Sequence, residues 1–444
     1  MDEQEKQSKI KRSLKYSIVD GAFYSAMVGF GESFFSAFAV FLKATAIQLG
    51  LLTALPQLLG SLADIYSTKL LKVFKSRKRF VAMFGLFQGW IYIPIALVFF
   101  FGDLQVWHLI AFVCLYTITG MLINPIWHSW MGDLVDEKER GVYFSKRNRV
   151  IGFVSFITFL LGGYLLEQFS GNTLTQYIGF AALFGLALFM RLGSFIYLTK
   201  KYEPEYDVEH GLNLSIKNFF RDIKANNFGS LFYYLTWMNF SVYLAGPFFT
   251  AYMLYDLGFN YLVFAVVTGV SIISKYLFMP WWGKSSDKYG TRKMLTLAGF
   301  LMPAVPLLWM LSPNMTYLIL IQIYAGFAWA GFELTSANFI FDATNTEQRA
   351  TYVAYFNVFN GIAIFIGAGI GSLIVKYNHV FASSILLIFL MSFIARYAVS
   401  FIFLPKLKEV RTVQSISYKD LLLNIFTVRA VRGAVYSIMT FRKK

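Results

Sequence analysis

Apolar runs of about twenty residues recur along the whole chain, each closed off by charges or by Gly, Pro and Asn. At about 1.5 Å of rise per residue, a helix of that length crosses a hydrocarbon layer of roughly 30 Å. The pattern predicts twelve spanning helices. Six lie near residues 19–42, 46–66, 80–101, 107–131, 149–168 and 174–198, and six near 230–254, 260–282, 293–312, 316–340, 352–375 and 381–404. One long polar stretch, Lys200 to Asn227, separates the two sets and carries an amphipathic piece from Leu214 to Ile223. The tail alternates in a similar way, with Leu421, Leu422, Ile425, Val428 and Val435 on one side and Arg429 and Arg432 on the other. Both amphipathic pieces read as helices lying on a membrane surface. The expected organisation is a first six-helix bundle over 1–198, a linker over 199–229, a second bundle over 230–404 and a basic tail over 405–444.

Composition sharpens this picture. With 57% hydrophobic and 14% charged residues, a chain of 444 residues has more apolar surface than a water-soluble core can hide, and a bilayer must cover the rest. The +16 formal charge would suit a nucleic-acid binder, but the 40 Lys and Arg are segregated. By the predicted spans, 35 fall in the termini and loops on one side, counting Arg149 and Lys293 at the very start of their spans there, while Lys43 and Lys376 alone fall on the other. That split predicts both termini in the cytoplasm and an inner-membrane protein with no nucleic-acid partner. The charged first 16 residues precede a full-length span and do not read as a cleaved signal peptide. The lone cysteine, Cys114, allows no intramolecular disulfide and no cysteine metal cluster. Four His and no grouped carboxylates predict no metal, no cofactor and no membrane enzyme.

The two sets of spans are related in sequence. An offset of 209 carries Asp133, Arg140, Tyr143, Asn148, Gly152 and Gly162 onto Asp342, Arg349, Tyr352, Asn357, Gly361 and Gly371. An offset of 223 carries Gly60, Asp64 and Tyr66 onto Gly283, Asp287 and Tyr289, and one of 215 carries Arg77 and Lys78 onto Arg292 and Lys293. An offset of 214 relates Phe34, Phe35, Ser36 and Ala37 to Phe248, Phe249, Thr250 and Ala251. The halves are therefore parallel repeats.

Gly283, Asp287, Gly290, Arg292 and Lys293 follow the pattern G-x-x-x-D-x-x-G-x-R-K between the second and third spans of a half. In this the chain resembles the major facilitator superfamily, and the likeness extends over nearly its whole length. The first copy, Gly60 and Asp64, departs from the pattern, with Ser67 in place of the second glycine and the basic pair delayed to Arg77 and Lys78. The resemblance implies an all-α membrane fold of two six-helix bundles that rock about a central site, and secondary transport of a small solute. Two features associated with drug efflux are missing: the fourth span has no arginine, and the fifth shows Gly162 and Gly163 rather than Gly-Pro. By the same resemblance, Asp64 and Asp287 would each bridge to the opposite half as a cytoplasmic gate, near the positive N-terminal ends of the eleventh and fifth spans. The pairs Asp133 with Arg140 and Asp342 with Arg349, together with Arg191 and Arg396, read as structural or gating charges.

Three further groups lie within spans. Glu32 falls on a stripe of small or polar residues, Ser25, Gly29, Ser36 and Ala39, at helical spacing, so it should face a cavity. Glu333 lies on a similar stripe, and its repeat counterpart is Asn124. Lys275 lies at nearly the depth of Glu333, so the two are expected to pair. A carboxylate in hydrocarbon costs several kcal/mol, with values that depend strongly on method, so it takes a partner, a proton or a ligand. Glu32 and the Lys275–Glu333 pair therefore read either as lining a substrate and proton path or as static polar contacts. His128, between Trp127 and Trp130, is either an interfacial residue or a titrating one. Carboxylates make a proton the expected coupling ion. Lipid flipping and a non-transporting sensor are the other readings that fit this fold.

Overall fold

The structure, a computed structural model, describes residues 3–136, 139–205, 219–221, 223, 227–344, 346–378, 380–381 and 383–410, and gives the backbone alone for residues 3, 141, 142 and 346–351. The expected surface helix at Leu214 to Ile223, for the most part, and the amphipathic tail beyond residue 410 lie outside the described residues. No strand occurs among the described residues.

In chain order the first half comprises α1 (Glu3–Phe30), α2 (Phe35–Phe41), α3 (Ala46–Asp64), α4 (Ser67–Phe74), α5 (Arg77–Trp90), α6 (Tyr92–Leu97), α7 (Gln105–Leu134), α8 (Arg140–Gln168) and α9 (Thr173–Lys200). The second half comprises α10 (Asn227–Ala245), α11 (Tyr261–Tyr289), α12 (Thr291–Leu301), α13 (Ala304–Leu311), α14 (Met315–Ala343), α15 (Thr346–Tyr377) and α16 (Leu386–Phe403). Among the described residues, eleven helical segments are long and apolar enough to cross a membrane. The seventh expected span, 230–254, corresponds to α10, a turn at Gly246–Phe248 and helical residues up to Asp256. Asn227, Ser230, Asn239 and Ser241 dilute the apolarity of α10.

Helix ends follow local chemistry. Thr45 and Gln48 form a reciprocal cap on α3, Asn172 and Thr175 one on α9, and Asn314 accepts from two backbone N–H groups at the start of α14. Gly290 joins α11 to α12 with φ of 98°, a conformation that disfavours any side chain, which accounts for the second glycine of the loop pattern. The first span is not one helix. It breaks at Gly31, where a Cβ would collide with the Tyr92 ring, and continues as a single tight turn, Glu32–Phe34, before α2. A mid-span turn of this kind exposes backbone and re-aims side chains.

The chain packs as two compact units that do not coincide with the sequence halves. One unit contains Met1–Asn213 together with Gly246–Val266 and Asn357–His379; the other contains Leu214–Ala245, Val267–Phe356 and Val380–Lys444. Inside the first unit, α3 runs against the latter part of α15 along a seam of small residues. A Cβ on Gly50 would fall on Ser372 Oγ, and one on Gly361 would fall on Ser61 Oγ. The core of this unit includes Phe80, Ile126, Trp130 and Leu134. The other unit has a core of Tyr234, Met238, Trp282, Met294, Met302 and neighbours.

Candidate functional site

Helices α1, α3, α5, α7, α8 and α9 of the first unit enclose a cavity of about 480 Å³. Glu32 and Asn124, two of the residues singled out from sequence, face it, as does His128. Glu32 sits at the first position of the tight turn after Gly31, and its side chain opens onto the cavity instead of packing into the interior. Tyr116 Oη of α7 donates a 2.9 Å hydrogen bond to Glu32 Oε2. The Gln88 amide nitrogen donates to the Tyr116 carbonyl at 3.2 Å, and the buried Gln88 Oε1 has no protein partner.

Two charges that sequence reasoning did not single out as cavity residues, Asp20 and Arg147, join Arg191 on the wall, and the fully buried Lys201 stands behind Asp20. Asp20 pairs with Lys201 Nζ at 2.8 Å and accepts from Ser194 Oγ at 2.7 Å. Burial pushes the Lys201 ammonium below the usual lysine value, and the Asp20 carboxylate acts in the opposite sense. Arg147 Nε donates to the Ser17 carbonyl at 3.2 Å, and its guanidinium lies 4.3 Å from the Trp127 ring centre. Arg191 donates to the Gly85 carbonyl at 3.0 Å and to Ser194 Oγ at 3.1 Å, and lies 5.1 Å from the Tyr24 ring. Gly21 and Gly85 make room for the two arginines, since a Cβ on either would press on the guanidinium Nη2.

Lys275 and Glu333 come together in the second unit, at 3.1 and 3.2 Å, both partly exposed. Gly326 lets α14 approach α11 there, because a Cβ would strike the Ser271 carbonyl and Ser274.

The loop charges assemble differently from the pairing read in sequence. Asp133 takes the fully buried Arg77 at 2.6 Å and not Arg140, which reaches the Gly132 and Val135 carbonyls at the end of α7. The reason is local. Arg77 stands at the first position of α5, where Glu203 caps the helix by accepting from Ser76 Oγ and the Arg77 N–H, each at 2.6 Å. The second unit repeats the device, with Glu409 accepting from the Arg292 N–H at 2.9 Å. There Asp342 accepts from Thr291 Oγ1 at 2.8 Å. The side chain of Arg349 lies outside the described residues, and Asp287 and Lys293 flank the Gly290 turn. Arg191 and Arg396 are both buried and bond to carbonyl and hydroxyl oxygens, Arg396 to Ser392 Oγ and the Val242 carbonyl. Asp64, at the end of α3, accepts from Asn357 Nδ2 at 3.1 Å, eleven residues inside α15, so the bond is to a side chain and not to the helix end. Gly60 packs closely on Met121, whereas a Cβ on Gly283 would make only an ordinary contact with Leu334.

Comparison with known proteins fits this architecture. The xylose transporter XylE from E. coli, in a partially occluded inward-open conformation, superposes with a TM-score of 0.64 at 12% identity, covering 92% of this chain and all of that one. A bacterial homologue of the human lysosomal transporter Spinster gives 0.63 at 14% identity over 92% of this chain and 99% of that one. The nucleoside transporter NupG gives 0.60 at 15% over 90% and 99%. In sequence, the vacuolar basic amino acid transporter 1 of Saccharomyces cerevisiae is 23% identical over 170 residues, 37% of this chain. The antiporter QDR3 of Candida albicans is 30% identical over 113 residues, 24% of this chain. The matched stretches span 30% and 16% of those two relatives' own lengths. The profile of the Major Facilitator Superfamily matches residues 21–250 and again 227–441, and the chain therefore belongs to that superfamily, as an integral multi-pass membrane protein.

Proposed function

We propose that the protein is a secondary active transporter that moves a small polar solute by alternating access, driven by a proton exchanged at Glu32. One observation carries this reading: a carboxylate within a span, opening onto a cavity of about 480 Å³, with a tyrosine hydroxyl as its one protein partner. The volume falls in the range of small-molecule sites. An ionised carboxylate at this depth is costly and a neutral one is not, so proton gain and loss at Glu32 can alternate with solute binding. The relatives' names, a nucleoside, a xylose and a basic amino acid transporter, all point to solutes of this size. The segregation of Lys and Arg supports cytoplasmic termini and an inner-membrane location. In this reading Asp64, bonded to Asn357, and Asp287 are the charges of the cytoplasmic gate, and the Lys275–Glu333 pair belongs to the solute path.

The test is uptake by proteoliposomes of a solute panel under imposed proton or sodium gradients. Wild type is expected to accumulate a solute under the proton gradient. Glu32→Gln is expected to abolish accumulation while leaving exchange of solute across the membrane intact. Accumulation unchanged in folded Glu32→Gln would remove the coupling role, and accumulation driven by sodium alone would replace the proton.

A further inference from the structure

We infer that the cavity of the first unit takes a small organic anion, whose charge is held between Arg147 and Arg191. The inference rests on the reading of that cavity as the transport site.

The charges around the cavity do not cancel. Asp20 is matched by Lys201. Glu32, the other acid on the wall, meets Tyr116 and no base. Arg147 and Arg191 bond to carbonyl and hydroxyl oxygens and to aromatic faces, and among the described residues neither forms a salt bridge. Counting the buried Lys201 behind Asp20 together with the wall, the site holds one positive charge in excess with Glu32 ionised and two with Glu32 protonated. An excess of this kind in a low-dielectric site favours an anion, and arginine is suited to carboxylate or phosphate oxygens. It also couples the two ligands: a proton on Glu32 tightens the anion, and by reciprocity the anion favours the proton. The buried Gln88 Oε1 adds an acceptor for a hydroxyl or N–H on the same solute.

The second half shows that the fold does not require these charges. The offset of 214 carries Asp20 and Tyr24 onto Tyr234 and Met238, and that of 209 carries Arg147 onto Phe356. The spacing of the two capping glutamates, Glu203 and Glu409, carries Lys201 onto Leu407. Tyr234, Met238 and Leu407 lie together in the apolar core of the second unit, with Phe356 packed against it. Where one half closes these positions with apolar side chains, the other opens them into a charged cavity. Arg191 differs, since its counterpart Arg396 is also a buried arginine; of the two arginines, Arg147 is the one peculiar to the site.

The test measures thermal unfolding of the full-length protein in detergent with probes of one shape and three charges, benzoate, benzamide and benzylamine, and with succinate. The anions should raise the unfolding temperature, and the amide and the amine should not. Arg147→Gln should need about tenfold or more benzoate for the same shift, with Arg147→Lys in between. Glu32→Gln should bind benzoate at least as tightly as wild type and without the decline that wild type shows as pH rises and Glu32 loses its proton. The titratable and charged groups that line the cavity with Glu32 are Tyr116, Tyr24, Asp20, Arg147, Arg191 and His128, and Tyr92 packs against the turn that carries Glu32. Of these, His128 is the other group whose charge can in general change with a proton near neutral pH, so His128→Gln should keep the decline. Equal shifts from all probes, a preference for the amine, or no anion-specific shift at millimolar concentrations would overturn the inference. A neutral solute driven by the proton gradient and lost in Glu32→Gln would leave the transport reading standing without this one. Anion binding with no gradient-driven movement would do the reverse.

Discussion

Asp20 and Lys201 are both closed off from solvent and pair at 2.8 Å, so each is the other's counter-charge. Asp20→Asn would leave a buried ammonium with only neutral partners and should destabilise the protein by about 3–5 kcal/mol in chemical unfolding. Adding Lys201→Leu, which copies Leu407 of the second half, should recover most of that loss. The pH response follows from burial. Lys201 already titrates below its ordinary 10.5 when folded, so the unfolded chain holds more protons and stability rises with pH across that interval. Without the Asp20 carboxylate the folded value falls further, so the penalty of Asp20→Asn should shrink as pH rises, beginning at a lower pH than in wild type. Why these residues escaped the sequence is a matter of position. Glu32, Asn124, Lys275 and Glu333 are polar groups on small-residue stripes deep within apolar runs, where any such group is conspicuous. Asp20, Arg147 and Lys201 lie at the edges of the runs, where charges ordinarily serve topology, and Arg147 was indistinguishable from the loop charges that set orientation.

The helices outrun the apolar patterns that announce them. The fifth expected span, 149–168, is the apolar part of α8, which starts at Arg140 and so carries Arg147 two turns inside a helix. Polar residues prolong helices without altering hydrophobic period, so only the membrane-embedded part of each was legible. Ends depend on caps, and some caps come from far away in sequence. Glu203 accepts from one side chain and two backbone N–H groups at the start of α5, a contact across more than a hundred residues that no local pattern discloses. Glu203→Ala should cost about 1–2 kcal/mol in thermal unfolding, and Glu203→Gln less, since it keeps the acceptor and loses the charge. The break in the first span was equally hidden, because Gly31 is ordinary in a membrane helix until the Tyr92 ring is seen against it.

For the whole molecule, the repeat was readable residue by residue, and the superfamily match over both halves agrees with it. What the repeat concealed is that its two copies are used differently. Identity at Asp133, Gly152 and Gly162 marks positions that both halves share, whereas Asp20, Glu32 and Arg147 of the cavity stand where the copies differ; Asn148 and Arg191 are cavity residues with a like counterpart. Searching a duplicated chain for matching polar residues therefore finds the scaffold and passes over most charges of the site. The compact units differ from the halves for a related reason. Small residues along α3 and α15, such as Gly50, Ser61, Gly361 and Ser372, let backbones of different halves pack closely, and such packing leaves no periodic trace.

The capping glutamates have a consequence for how the chain is made. Glu203 and Glu409 follow the last helix of their halves yet complete the first turn of the third. During synthesis the start of α5 must wait for more than a hundred residues to be added before its N–H groups are satisfied, and α12 waits as long for Glu409. Each half is thus fastened by the last stretch of it to leave the ribosome. A chain ended after Lys406 should insert its spans and remain open to protease at the α12 end, whereas one ended after Val410 should resist, as read by limited proteolysis in membranes.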